Sequence, residues 1–170
     1  MSDYLLSSTH SHLLTLEDDH WGHTEQMLDD LLNANSDVSA IGYYSRWPHY
    51  PLTLQNKMNN GKYLECVCED KQEVDLCGFG MTLIRREVLE KLDKPTFRLN
   101  NTNERNVGTD RNFCERVKQA GFKITGIFNH DLVHDGISKN NIVQKRMKFW
   151  DSTNIHGSRP RRTRHILSQQ

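Results

Sequence analysis

The feature that most constrains this chain is a short apolar run, Leu13-Leu14-Thr15-Leu16, that stops abruptly at Glu17-Asp18-Asp19-His20. Four residues are too few for a helix and suit a strand buried on both faces, so the spacing predicts a core strand whose end leaves the core among carboxylates. In an extended chain alternate side chains share a face, which would point Glu17 and Asp19 one way and Asp18 the other. Two acids on one face repel and raise each other's pKa, and a hard divalent cation between them relieves the repulsion. The competing reading is a solvated acidic turn that caps the strand.

The chain has 170 residues, enough for one ordinary domain and one hydrophobic core. Lys and Arg number 22, as do Asp and Glu, so there is no overall pull toward nucleic acid or a membrane surface. Mean hydropathy is −0.76, polar but interrupted by clear apolar segments, which predicts a folded domain with long loops. No run approaches the length of a membrane span and no basic-then-apolar leader precedes the first strand, so a cytoplasmic location is expected. Cys66, Cys68, Cys77 and Cys114 follow neither a paired Cys-x-x-Cys pattern nor a small secreted framework, and free thiols are expected; a zinc site on Cys66 and Cys68 would lack a second pair.

Along the chain, Tyr4, Leu5 and Leu6 form an apolar anchor before the first strand. Thr24 is placed to cap a helix with a stripe of Met27, Leu28, Leu31 and Leu32, ending near Asn33-Ala34-Asn35. Val38 to Tyr44 predicts a strand that runs into an irregular, proline-containing loop at 45–51, and Met58-Asn59-Asn60-Gly61-Lys62 a turn between short strands. Glu73 to Cys77 and Met81 to Ile84 predict strands, Arg86 to Leu92 a short helix, and the polar stretch from Pro95 to Gly108 a mobile functional loop. Thr109 reads as the N-cap of a helix bearing Phe113, Val117 and Ala120 and ending at Gly121. Strands at Phe122 to Phe128 and Leu132 to His134 follow, then a basic amphipathic helix from Ser138 to Trp150. Residues 1–157 are expected to form the domain and 158–170, rich in arginine, a disordered basic tail that either is solvated or contacts phosphates.

Three motifs then fall in order: the strand end Glu17-Asp18-Asp19; Gly108-Thr109-Asp110-Arg111-Asn112-Phe113-Cys114 opening a helix; and Val133-His134-Asp135-Gly136 after a strand. With the phrase from Cys77-Gly78-Phe79-Gly80-Met81 to Leu89, this order resembles the GT-A-type nucleotide-sugar glycosyltransferases, the inverting family-2 group in particular, from about Ser11 to Gly136. The resemblance implies an α/β fold, a GT-A-like (Rossmann-like) mixed sheet flanked by helices, N-terminally truncated because most of the family's nucleotide-binding β-α-β unit would lie ahead of Ser11. It implies that Asp19 and His134 hold Mn²⁺ or Mg²⁺, that Glu17 or Asp18 lies near the nucleotide ribose, and that Gly78 and Gly80 lie beside the bound donor. Asp110 would be the general base toward the hydroxyl of a glycan or other acceptor, and the donor a nucleotide-diphosphate sugar. Glu17 and Thr109 stand where the family more often has Asp and Glu. With no front unit, the Leu13-Leu14-Leu16 strand would expose an edge, so a homo-oligomer or a partner chain is expected to cover it.

Two other classes are consistent with these residues. A non-catalytic glycosyltransferase-like binding subunit would keep the fold without the chemistry. A metallohydrolase is suggested by His10-Ser11-His12, Asp19-His20 and His23, although six residues separate His12 from Asp19 where that pattern wants near-adjacency.

Overall fold

A computed structural model of the chain describes residues 6–47, 49–66, 70–102 and 105–146, and the side chains of all of these except 100–107. Tyr4, Leu5, Cys68, residues 147–150 of the expected last helix and the basic tail lie outside the described residues.

The architecture is mixed α/β around a five-stranded mixed sheet. In chain order the strands are β1 (His12–Leu16), β2 (His20–Trp21), β3 (Val38–Ile41), β4 (Gln55–Lys57), β5 (Tyr63–Glu65), β6 (Lys71–Val74), β7 (Met81–Arg85), β8 (Asn100–Thr102), β9 (Arg105–Val107), β10 (Ile124–Ile127) and β11 (Val133–His134). The helices are α1 (Glu25–Asn33), α2 (Arg86–Lys91) and α3 (Thr109–Gln119). The sheet order is β1-β7-β3-β10-β6, with β3 and β10 parallel and every other pair antiparallel.

Side-chain alternation divides the core into two layers. Val38, Ala40, Ile84, Ile124 and Val74 face one way and pack with Val88 and Leu89 of α2 and Phe113 and Val117 of α3. Ile41, Met81, Leu83 and Ile127 face the other way and pack against Met27 and Leu31 of α1. The interior strands β3, β7 and β10 are buried almost throughout, as expected of strands covered on both faces.

β1 departs from the expectation of a strand buried on both faces. Among the described residues it lies at the sheet edge, paired with β7 alone; Leu13 is buried against the core while Leu16 is 56% exposed. Leu32 of the expected α1 stripe is exposed as well, because Met27 and Leu31 already fill the contact with the sheet. Thr24 caps α1 as its sequence suggests, its side chain accepting from the Met27 amide at 3.2 Å. The cap of α3 is Gly108, not Thr109, which is the first helical residue; no side chain caps this helix. Within the stretch expected to be one loop from Pro95 to Gly108, β8 and β9 pair as a short hairpin.

Candidate functional site

The acidic end of β1 does not continue extended. The His20 amide donates to the Glu17 carbonyl at 3.4 Å, so residues 17–20 turn. The turn replaces the alternation expected of a strand and brings Glu17, Asp18 and Asp19 to one cleft of about 290 Å³, which Asp110 and His134 also line, together with Tyr43, Ser45, Arg46, Trp47 and Thr53. Five residues singled out from sequence therefore converge from three distant segments.

His134 reaches the turn through strand pairing. β2 and β11 are antiparallel with His134 opposite His20, and the Asp135 amide donates to the Asp19 carbonyl at 3.0 Å. Asp135 (φ 47°) and Gly136 (φ 73°) make the reversal after β11 in the left-handed region that an Asp-Gly pair favours, with His134 and Ile137 exchanging backbone bonds of 3.0 and 2.8 Å. The Asp-Gly signal in the sequence thus does structural work: it returns the chain so that the histidine before it stays beside the acids.

Asp19 is held from both sides. His20 Nδ1 lies 2.8 Å from Oδ1, and His134 Nε2 lies 3.2 Å from Oδ2. The other nitrogen of His134, Nδ1, is 3.2 Å from the Tyr44 carbonyl, which can only accept; Nδ1 therefore carries the hydrogen. In the neutral ring Nε2 then presents a lone pair to a carboxylate oxygen, and two acceptors at 3.2 Å stay together only with a proton or a cation between them. A backbone carbonyl fixing the remote nitrogen is the arrangement that orients a metal-ligating histidine.

The His20 side chain is fully buried. Burial, with the neighbouring His134 second, pushes its pKa down to about 4, so the ring is neutral near pH 7 and donates from Nδ1 to Asp19. Its Nε2 has no hydrogen-bond partner. The His20 and His134 rings stack at 4.4 Å, and Tyr43 meets His20 edge-on at 4.3 Å and His134 at 5.3 Å. Burial disfavours ionisation of Asp19, but the two imidazoles outweigh it and hold the carboxyl below its usual range. Burial, then the charges of Asp19 and Asp110, raise Glu17. The Tyr43 hydroxyl, whose own pKa is driven up chiefly by burial, donates to Glu17 Oε2 at 3.4 Å.

These features suit a cation. Asp19, His20 and His134 offer ligand atoms within 4.8 Å of one another, and among the described residues they form the one such group of three. One carboxylate and two imidazoles are donors that divalent cations accept. His10 and His12, the His-x-His of the hydrolase reading, are not in the group, and His12 Nδ1 instead contacts Ser11 Oγ at 2.9 Å. His23 is turned to the Gly80 carbonyl at 3.2 Å.

Asp110 stands in the first turn of α3, where its Oδ1 accepts from the Arg111 amide at 2.8 Å. Gly78 and Gly80 are not among the residues lining the cleft; they form its backing. A Cβ on Gly78 would stand 2.1 Å from the Tyr43 hydroxyl oxygen, and one on Gly80 would stand 2.6 Å from His20 Nε2. The glycines are thus where the site's buried Tyr and His approach the backbone. Cys66, Cys77 and Cys114 are buried free thiols, in keeping with the absence of a disulfide pattern.

His20 as the brace of Asp19, and Tyr43 as the brace of Glu17, were not assigned these roles from the sequence. His20 follows the acids directly, but a buried, neutral state depends on Gly80 and Tyr43, which are remote in sequence.

No family model matches the chain, and a search of curated proteins gives no match. Among solved structures, A197 from STIV is similar, with a TM-score of 0.55 and 22% identity over 78% of this chain. The chain spans 61% of the length of that structure. At this identity the likeness concerns the fold alone, and it agrees with a mixed α/β sheet. Among the described residues, no helix is long and apolar enough to cross a membrane.

Proposed function

We propose that this chain is a metal-dependent, inverting glycosyltransferase of GT-A type that moves a sugar from a nucleotide-diphosphate donor to an acceptor hydroxyl. The observation that carries the reading is the convergence of Glu17, Asp19, Asp110 and His134 on one cleft, with His134 Nε2 3.2 Å from Asp19 Oδ2. Asp19 and His134 would hold the divalent cation, Mn²⁺ or Mg²⁺. When bound, it supplies positive charge to the departing diphosphate.

The chain's own residues do the remainder. His20 fixes the Asp19 carboxylate through Oδ1, leaving Oδ2 toward His134. Tyr43 restrains Glu17, and a raised Glu17 beside Asp19 and Asp110 is a site that gains from added positive charge. Asp110 takes the proton of the acceptor hydroxyl as that oxygen attacks the anomeric carbon and the bond to the diphosphate breaks, with inversion at that carbon. The Arg111 amide holds its carboxylate through Oδ1, and a fixed position supplies much of the rate effect.

The test is transfer or hydrolysis of a panel of nucleotide-diphosphate sugars with Mn²⁺ and with a chelator. Metal-dependent release of nucleoside diphosphate supports the reading. Mn²⁺ binding without turnover of any donor favours a binding subunit, and turnover unaffected by chelation removes the metal.

A further inference from the structure

We infer that a second cleft, adjoining the acidic one at Asp110, is a site for a neutral pyranose, and that Trp47 is its stacking platform. This rests on the proposed function in one respect: it takes Asp110 as the group that meets the acceptor hydroxyl. The cleft measures about 350 Å³, within the range of small-ligand sites. It shares Ser45, Trp47, Thr53 and Asp110 with the acidic cleft, so the two adjoin and the same carboxylate lines both. A base that lines two adjoining clefts is positioned to take a proton from a molecule in one as it reacts with a molecule in the other.

The lining selects the chemistry. Trp47, Pro51 and Leu76 give apolar walls, while Gln55, Thr53 and Asp110 give polar groups at the same opening. A pyranose has this division, with C–H groups on its ring face and hydroxyls around its rim. Trp47 is 73% exposed, a large apolar surface left in water beside polar groups, and its ring offers an amphipathic ligand a broad contact. Charge argues for a neutral ligand. Asp110 faces this cleft, and its one lining cation, Arg111, is already engaged: its Nε donates to Glu115 Oε1 at 3.1 Å and its guanidinium lies 4.7 Å from the centre of the Tyr63 ring. An anionic acceptor would meet Asp110 without a cation to offset it.

The experiment is saturation-transfer NMR on the full chain with methyl pyranosides of glucose, galactose, mannose and N-acetylglucosamine, on wild type, Trp47→Ala and Trp47→Tyr. At least one glycoside is expected to bind wild type. Trp47→Ala should weaken it about tenfold and Trp47→Tyr less, because Tyr keeps an aromatic face. A thermal melt controls for folding, which an exposed side chain should leave unchanged. No glycoside bound by wild type, or equal binding by Trp47→Ala, overturns the inference. So does Trp47-dependent binding of free uridine or adenosine in place of every glycoside, since the platform would then serve a base. Mn²⁺ titration of the same samples separates this from the reading above. Lost metal binding with glycoside binding kept sinks the metal site alone, and the reverse sinks the pyranose site alone.

Discussion

The two sides of β1 are built differently. At its C-terminal end, Asp19 is gripped by two imidazoles, Glu17 is bonded by a buried Tyr, and the rings behind them pack, stacked or edge-on, within 4.3–5.3 Å. Among the described residues no strand pairs with its outer edge, and Leu16 stands over an apolar groove of about 470 Å³ shared with Leu14, Phe79 and Phe97. The contrast separates two kinds of organisation. The cleft is held by many mutually dependent contacts, so single changes there should propagate. The edge is simple, and changes there should stay local.

The largest effects are expected where the grip is tightest. Asp19→Ala removes the carboxylate that both imidazoles address, and should lower Mn²⁺ affinity at least about a hundredfold and transfer roughly a hundred- to a thousandfold. Calorimetry and a coupled assay read the two. If Asp19→Ala binds Mn²⁺ as wild type does, the grip serves the fold and not a metal.

Asp110→Asn tests the opposite wall, where a carboxylate is held by one backbone amide. Transfer should fall by roughly a hundredfold or more, while stability changes by at most about 1 kcal/mol. Here the cap assignment matters. Because Gly108 and not Thr109 precedes the helix and supplies no side-chain cap, Asp110 contributes more of the favourable charge at this terminus than a Thr cap would have left to it. An Asn variant with full activity excludes Asp110 as the base.

Gly78→Ala should damage the fold instead of the chemistry alone. The added methyl would overlap the Tyr43 hydroxyl at 2.1 Å, and Tyr43 cannot move without disturbing both histidines, so a loss of roughly 1–3 kcal/mol is expected in a denaturant melt. A variant as stable as wild type would mean that the stack behind the cleft is loose.

Much of this was legible in the sequence, and what was not has identifiable causes. Periodicity located α1 and α3, and turn chemistry located the reversal at Met58 to Lys62. Local rules could not tell that β1 is an edge strand, because the run Leu13-Leu14-Thr15-Leu16 looks the same whether one neighbour or two pair with it. Nor could they place Glu17, Asp18 and Asp19 in one cleft, since a one-residue difference in where the strand ends decides between alternation and a turn. The braces His20 and Tyr43 were invisible for a related reason. Their roles are set by Gly78 and Gly80, remote in sequence from both.

The state of His20 gives a pH test in chelator-treated protein. Its pKa falls from 6.5 to about 4 on folding, chiefly through burial. Between those values the unfolded chain binds more protons than the folded one, so stability should rise with pH and be lost as pH drops from about 6.5 toward 4. The loss should be on the order of 2 kcal/mol, and His20→Gln should flatten this part of the profile. A flat wild-type profile over that range would mean that water reaches the ring.

The smallest effect on the isolated chain is expected at the outer edge. Leu16 is more than half exposed, so Leu16→Lys removes little buried area, and the melt should shift by no more than about 0.5 kcal/mol. Association is where the substitution should register. Among the described residues β1 is an edge strand, and its exposed Leu16 beside a mostly apolar groove leaves an edge open to pairing. A second copy can satisfy it by antiparallel pairing of β1 with β1, a two-fold arrangement in which both copies present the same surface. Each leucine at that edge would then have to enter the interface, and a lysine there would bring two like charges together across the axis. Sedimentation of wild type should therefore give a dimer that Leu16→Lys dissociates. A wild type that sediments as a monomer at all concentrations would leave the edge unpaired, and would confine the protein's specific contacts to the cleft.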